Sequence, residues 1–274
     1  MTYQQNIKDH LTAYKKDKYP TSKNGIWRPK TDNKILEYAF WNWGKDYEYN
    51  ILEPYRDNFF QSMTVKRHTY FHHMNSSQAM CINFFYPLMV ENRLELITDF
   101  LNFPNETISS HSAEFEKESE IDGKNGNRAT NFDFYFQTVS GKEFFFEIKY
   151  TEYDFGKAKN DQSHVKKFNE IYKHKLGCIN PEYAEMQSFF KHYQIIRNLI
   201  HVGKDKYVVF LYPEANKKIK ESAAEAKEQI LKSEFRSHLF DVHWEDIVAF
   251  VQSKVKENRL IENIKEFEEK YITK

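Results

Sequence analysis

Glycine and proline are scarce, eight and seven in 274 residues, and nowhere do they gather with serine into a linker. One large domain, or a domain with an extension, therefore fits better than a string of modules. Only two cysteines occur, Cys81 and Cys178, and neither stands in a CxxC or Cys/His spacing. That excludes a disulfide scaffold and the common zinc motifs, and with no apolar leader near the N-terminus the expected compartment is a reducing cytoplasm. No run approaches the roughly 20 apolar residues that span a bilayer, so no membrane partner is expected. Charge of one sign is not in excess either, since 40 basic residues face 40 acidic ones. Any nucleic-acid surface has to be local.

What the chain has is aromatic side chains, 17% of residues and mostly Phe and Tyr, enough bulky apolar surface to fill a sizeable core. Residues 1–74 read as a helical and loop extension packed on the body. Its loop, Tyr19 to Asp32, carries Pro20, Gly25 and Pro29 with the cations Lys18, Lys23, Arg28 and Lys30, and the aromatic cluster Phe40 to Trp43 is expected to dock it. The core then spans 75–274. From Asn75 the apolar spacing is helical until Pro87, which predicts two helices or one kinked helix after an Asn75 or Ser76 cap. The period next changes to two in SAEFEKES, NFDFYFQT and KEFFFEIKYT, three strands rich in Phe and Tyr. Helical segments follow near 159–175 and 181–202, then a buried strand over 207–212, an exposed helix over 214–232, and a last strand feeding one or two helices. The order predicts an α/β fold, a central mixed sheet flanked by helices.

Register decides which side chains of the second and third strands share a face. A two-residue turn at Ser140–Gly141 would oppose Asp133 to Ile148 and waste both faces. With Val139, Ser140 and Gly141 in a three-residue loop, Gly141 taking its left-handed position, Thr138 pairs with Lys142. Phe136 then stacks on Phe144, Phe134 on Phe146 and Phe132 on Ile148, whereas the other face collects Asp133, Tyr135, Phe145, Glu147 and Lys149. Side chains so opposed have Cβ atoms about 4.5 to 5.5 Å apart, and two carboxylates there repel unless a cation lies between them. Mg²⁺, which prefers one or two carboxylates plus retained waters, answers that need, with Mn²⁺ expected to substitute. Lys149, two residues beyond Glu147 on the same face, is placed to position or deprotonate an attacking water and to offset charge on a phosphate.

Asp133 followed by Glu147-Ile148-Lys149 resembles the PD-(D/E)xK nuclease superfamily, which includes type II restriction endonucleases and DNA repair nucleases. Within it, HHMNSSQAMCINFFYPL, NFDFYF, FFFEIKYTEYDFGKAK and FKHYQIIRNLI look like a bacterial restriction-endonuclease-like group. The resemblance covers roughly 75–250 and implies an αβββαβ restriction-endonuclease-like core, with the Asp on the second strand and E-x-K on the third. Phe132 stands where the motif has Pro, a departure that touches backbone shape and leaves the carboxylate in place. The resemblance also implies an upstream acid, for which Glu91, Glu95, Glu114 and Glu116 are available and Glu116 or Glu114 preferred, and a Gln on the helix after the hairpin, here Gln194. It implies a DNA-cleaving enzyme with Asp133, Glu147 and Glu116 as metal ligands and Asp133, Glu147, Lys149 and Gln194 as catalytic residues.

Three further groups are weighed from the residues alone. Gln194 and Arg197 lie three apart on a helix and can reach a phosphate from one side, or form its wet face. Ser76, Ser77 and Gln78 open a helix and can donate to a DNA phosphate or simply cap it. His68, His72 and His73 lack an HExxH pattern, so a packed or DNA-facing role is expected rather than zinc. The alternatives to a DNA endonuclease are a catalytically inactive nucleic-acid-binding module of the same fold and an RNA nuclease. A homodimer is left open, because enzymes that cut both strands commonly present two active sites.

Overall fold

The computed structural model describes residues 2–28, 32–123 and 129–273. In chain order the helices and strands are α1 (Tyr3–Lys18), β1 (Asn24–Arg28), β2 (Asp32–Phe40), α2 (Arg56–Ser62), α3 (Ser77–Val90) and α4 (Glu95–Phe100). There follow β3 (Glu114–Glu118), β4 (Asn131–Gln137), β5 (Glu143–Ile148), α5 (Gln162–Glu170), α6 (Pro181–Ala184), α7 (Met186–Lys191) and α8 (Tyr193–Leu199). The chain closes with β6 (Lys206–Tyr212), α9 (Lys217–Glu225), β7 (Leu239–His243), α10 (Trp244–Lys254) and α11 (Asn258–Tyr271). By internal contacts it divides into two units, one of Glu106–His243 and one of the described residues up to Asn105 together with those from Trp244 onward. Described residues on both sides of position 74 fall in the latter unit, where Asn83 of α3 accepts the Leu52 N–H and donates to the Asn50 carbonyl, and Phe84 meets Phe267 of α11 at 5.5 Å.

In the unit that includes α1 and α11, the segment expected as a loop over 19–32 contains strand β1, and β2 begins at Asp32. β1 and β2 pair antiparallel with irregular register, and Pro29 and Lys30 lie outside the described residues. Helix α3 is buried without interruption from Gln78 to Leu88, as a helix apolar all round must be. It also runs unbroken through Pro87. Proline has no N–H to give the carbonyl four residues back, and that carbonyl, of Asn83, is instead satisfied by the side-chain amide of Asn263 at 3.0 Å.

The other unit carries a five-stranded mixed sheet in the order β3-β4-β5-β6-β7. The β3/β4 and β4/β5 pairs are antiparallel and the β5/β6 and β6/β7 pairs parallel. Phe134 pairs with Phe146, Tyr135 with Phe145 and Phe136 with Phe144, the expected register, and Gly141 turns the loop at φ 92°. Helices α5, α7, α8 and α9 cover one face, where Tyr135, Phe145, Val208 and Phe210 meet Phe168, Phe189, Ile196, Leu199 and Ile219 in one buried cluster. The helical stretches expected near 159–175, 181–202 and 214–232 are each broken into shorter pieces. Among the described residues no helix is long and apolar enough to cross a membrane.

Candidate active site

Carrying the β4/β5 register two residues past Tyr135 and Phe145 sets Asp133 across from Glu147. The last direct pair on that side is Phe134 with Phe146. Beyond it Asp133 Oδ2, not a backbone carbonyl, accepts the Ile148 N–H at 2.6 Å. The two strands part there, and Phe132 does not stack on Ile148 as expected. Its ring lies 5.0 Å from Phe145 and 4.8 Å from His201, on the helix-covered face.

Glu147 is 3% exposed and the focus of the donors. Lys149 Nζ stands 2.7 Å from its Oε1, Gln194 Nε2 donates to the same oxygen at 2.7 Å, and Asn198 Nδ2 donates to Oε2 at 3.0 Å. Lys149 Nζ also donates to Gln194 Oε1 at 3.3 Å, so lysine, glutamate and glutamine close a triangle. Gln194 and Asn198 sit one turn apart on α8 and share its inward face. Gly156, at φ 105°, leaves room for this arrangement: a Cβ there would come within 3.2 Å of Gln194 Oε1. Past β5 the turn is braced by Glu152 Oε2, which accepts the Tyr150 N–H, and by the buried Asn216, which donates to the carbonyls of Tyr150 and Glu152.

Burial, with Glu147 and then Glu116 as neighbouring negative charges, holds the Asp133 carboxyl well above the usual range. Burial works against the Lys149 ammonium, yet Glu147 and Glu152 outweigh it and its pKa is raised. The upstream acid is thereby narrowed. Glu116 acts on Asp133 and has a left-handed backbone, φ 56°, a strained conformation for a side chain of its kind. Glu114 pairs instead with Lys117 at 2.8 Å. Glu91 and Glu95 belong to the other unit, where they accept from Tyr55 and Arg93.

Among the described residues, no three His, Cys, Asp or Glu side chains are gathered as a metal cage. Two neighbouring carboxylates, one of them with a pKa raised by burial and by the charges beside it, are a donor set that Mg²⁺ accepts, since it keeps most of its waters. The residues present fit that ion.

Several nominated residues are engaged elsewhere. Arg197 does not converge with Gln194: its guanidinium donates to the buried Asp122 at 2.8 Å and lies 4.8 Å over the Tyr193 ring. The reason is local, because Asp122 also collects Thr130, Tyr172 and Lys167 and needs a cation. Ser76 caps α3, its hydroxyl accepting the Ala79 N–H at 3.3 Å, and Ser77 is the first residue of that helix. Gln78 is 2% exposed and ties the Lys66 carbonyl to the His68 N–H. His72 and His73 are buried, and burial pushes the His73 imidazole down to about 3. Sequence reasoning missed Asn198, although its spacing of four from Gln194 on one helix was a usable signal. No curated protein and no solved structure matches the chain. A family model described as restriction endonuclease associating with ARP matches residues 4–272, nearly the whole length, and the chain belongs to that family.

Proposed function

We propose that this protein is a Mg²⁺-dependent endonuclease hydrolysing DNA phosphodiester bonds, with Asp133, Glu147 and Lys149 at the centre of the reaction. The observation that carries the reading is the meeting of two opposed carboxylates, a buried ammonium and two carboxamides where β4, β5 and α8 converge, in a chain of a restriction-endonuclease family. Asp133 and Glu147 would hold the ion, with Glu116 adding negative charge beside them. An ion held there would supply Lewis-acid chemistry toward a phosphate oxygen, and Mn²⁺ would serve in place of Mg²⁺.

Lys149 keeps its proton, since its pKa is raised. Its part is therefore to orient water and to present positive charge where negative charge develops on the phosphate, rather than to accept a proton. Gln194 holds that ammonium against Glu147, and Asn198 fixes the second carboxylate oxygen. DNA is preferred as substrate by the family's description, which also names ARP as an associate.

The test is cleavage of plasmid DNA, with RNA in parallel, by purified protein in Mg²⁺ or Mn²⁺. Lys149→Ala should lower the DNA rate by roughly 10²–10³-fold or more, the cost of removing one preorganised charge donor, with the variant still folded by circular dichroism at the assay temperature. Equal cleavage by the variant would sink the assignment. Calorimetry that shows DNA affinity but no Mg²⁺ or Mn²⁺ heat would identify a binding module instead.

A further inference from the structure

The unit that lacks Asp133 holds a cavity of 690 Å³, within the roughly 300–1,000 Å³ typical of sites for small ligands. Its lining contains no acid: Lys66, Arg67 and His68 stand among aromatic rings and neutral polar groups. In a chain with as many acids as bases, that sorting is informative. A second pocket, in the unit that carries Asp133, mixes Asp154, Glu221 and Glu225 with its lysines.

Arrangement adds to composition. Arg67 is exposed, and its guanidinium lies 4.6 Å over the Tyr47 ring. Tyr47 in turn meets Phe60 edge-on at 5.9 Å. A guanidinium plane backed by an aromatic ring is a platform on which a nucleobase stacks. The cation-bearing stretch has no regular secondary structure from 63 to 68, yet it is not left to itself. The buried Gln78 amide accepts the His68 N–H at 2.9 Å and donates to the Lys66 carbonyl at 3.0 Å, which presets the backbone on both sides of Arg67. Asn42, also lining the cavity, is fixed by the N–H and carbonyl of Ile26 and by His72 Nε2 at 2.8 Å. Both amide hydrogens are thereby engaged, and one lone pair of the fixed Oδ1 remains to accept from a base.

We propose that this cavity binds an unpaired nucleotide of a DNA strand, the base stacking on the Arg67 and Tyr47 platform and Lys66 meeting the adjacent phosphate. The choice of DNA over RNA rests on the endonuclease reading; the preference for an unstacked base and the role of Arg67 do not.

Binding of a short fluorescein-labelled oligo-dT to the full chain in EDTA, followed by anisotropy, tests this without any cleavage. Arg67→Ala, at an exposed position, should weaken binding by roughly 5- to 150-fold, the range for losing one stacked base. Lys66→Ala should lower the slope of log affinity against log salt by about 0.7, the share of one single-strand phosphate. Unchanged affinity in Arg67→Ala, with wild-type thermal unfolding, overturns the site, as does equal competition by a blunt duplex that offers no unstacked base. Oligo-rU bound as tightly as oligo-dT overturns the DNA assignment while leaving the endonuclease reading to its own cleavage test.

Discussion

Asp122 and Asp133 lie eleven residues apart in one unit, and α8 serves Asp122 and Glu147, the neighbour of Asp133, yet the surroundings of the two aspartates are opposite. Asp122 is 1% exposed and saturated with donors: the Thr130 N–H and hydroxyl, the Tyr172 hydroxyl, Lys167 and Arg197. Although burial alone would raise its pKa, these donors hold it well below the usual carboxylate range. For Asp133 burial, and then Glu147 and Glu116 as neighbouring charges, raise the pKa. A few residues along α8, Asn198 directs one amide hydrogen at Glu147 and leaves its buried Oδ1 without a partner. One acid is held low by its donors, whereas the other is raised by burial and by the charges of Glu147 and Glu116. Perturbed acids of the second kind gather where function is performed.

The same substitution at each acid should break this comparison most sharply. Asp122→Asn takes the charge of a buried carboxylate away from the half-buried Arg197 and Lys167 and should cost about 3–5 kcal/mol of stability, as breaking a buried ion pair does. Asp133→Asn removes a repelling charge, so stability in EDTA should hold or rise while DNA cleavage falls by roughly 10²-fold or more. Urea denaturation beside a plasmid assay measures both. A stability loss at Asp133 as large as that at Asp122 would show that the two sites are alike.

That contrast also marks how far the residues could be read before the structure. The β4/β5 register was legible because a period-two pattern and a three-residue loop ending in Gly141 leave one apolar face. Phe132 was not, because its change of face follows from a side-chain carboxylate taking the Ile148 N–H. The Arg197 spacing allows a phosphate contact or a wet helix face but not the bond to Asp122, because that partner lies 75 positions away. A helix through Pro87 was unreadable for the same reason, its donor Asn263 being 180 positions distant. The β1/β2 hairpin was hidden by proline and glycine, which mark turns but not the strands beside them.

Asn198 sharpens the comparison at a smaller scale. As a positioning residue it acts through Glu147, so Asn198→Ala should lower cleavage by about 10- to 100-fold, the usual cost of losing a group that orients a metal-binding side chain. The diagnostic readout is the Mg²⁺ concentration giving half the maximal rate, which should rise. A purely structural role would reduce stability and leave that concentration unmoved.

The smallest effect is in how stability varies with pH, and there the two acids oppose each other in sign. Asp122 has a depressed folded pKa, so its contribution is present above the unfolded value of about 3.9 and is lost as pH falls below it. Asp133 has a raised folded pKa, so the native state holds its proton more tightly than the unfolded chain does. Its contribution is present below the unfolded value and is lost as pH rises through the folded one. In EDTA the wild type should therefore weaken on both sides: toward acid because of Asp122, and above about pH 4 because of Asp133. Asp133→Asn should remove the decline on the upper side and leave the acid limb intact. Adding Mg²⁺ to the wild type should flatten the same upper limb, because an ion held by the carboxylate competes with its proton. Urea midpoints measured across this range with EDTA and with Mg²⁺ would decide it, and parallel curves for wild type and Asp133→Asn would remove Asp133 as the titrating group.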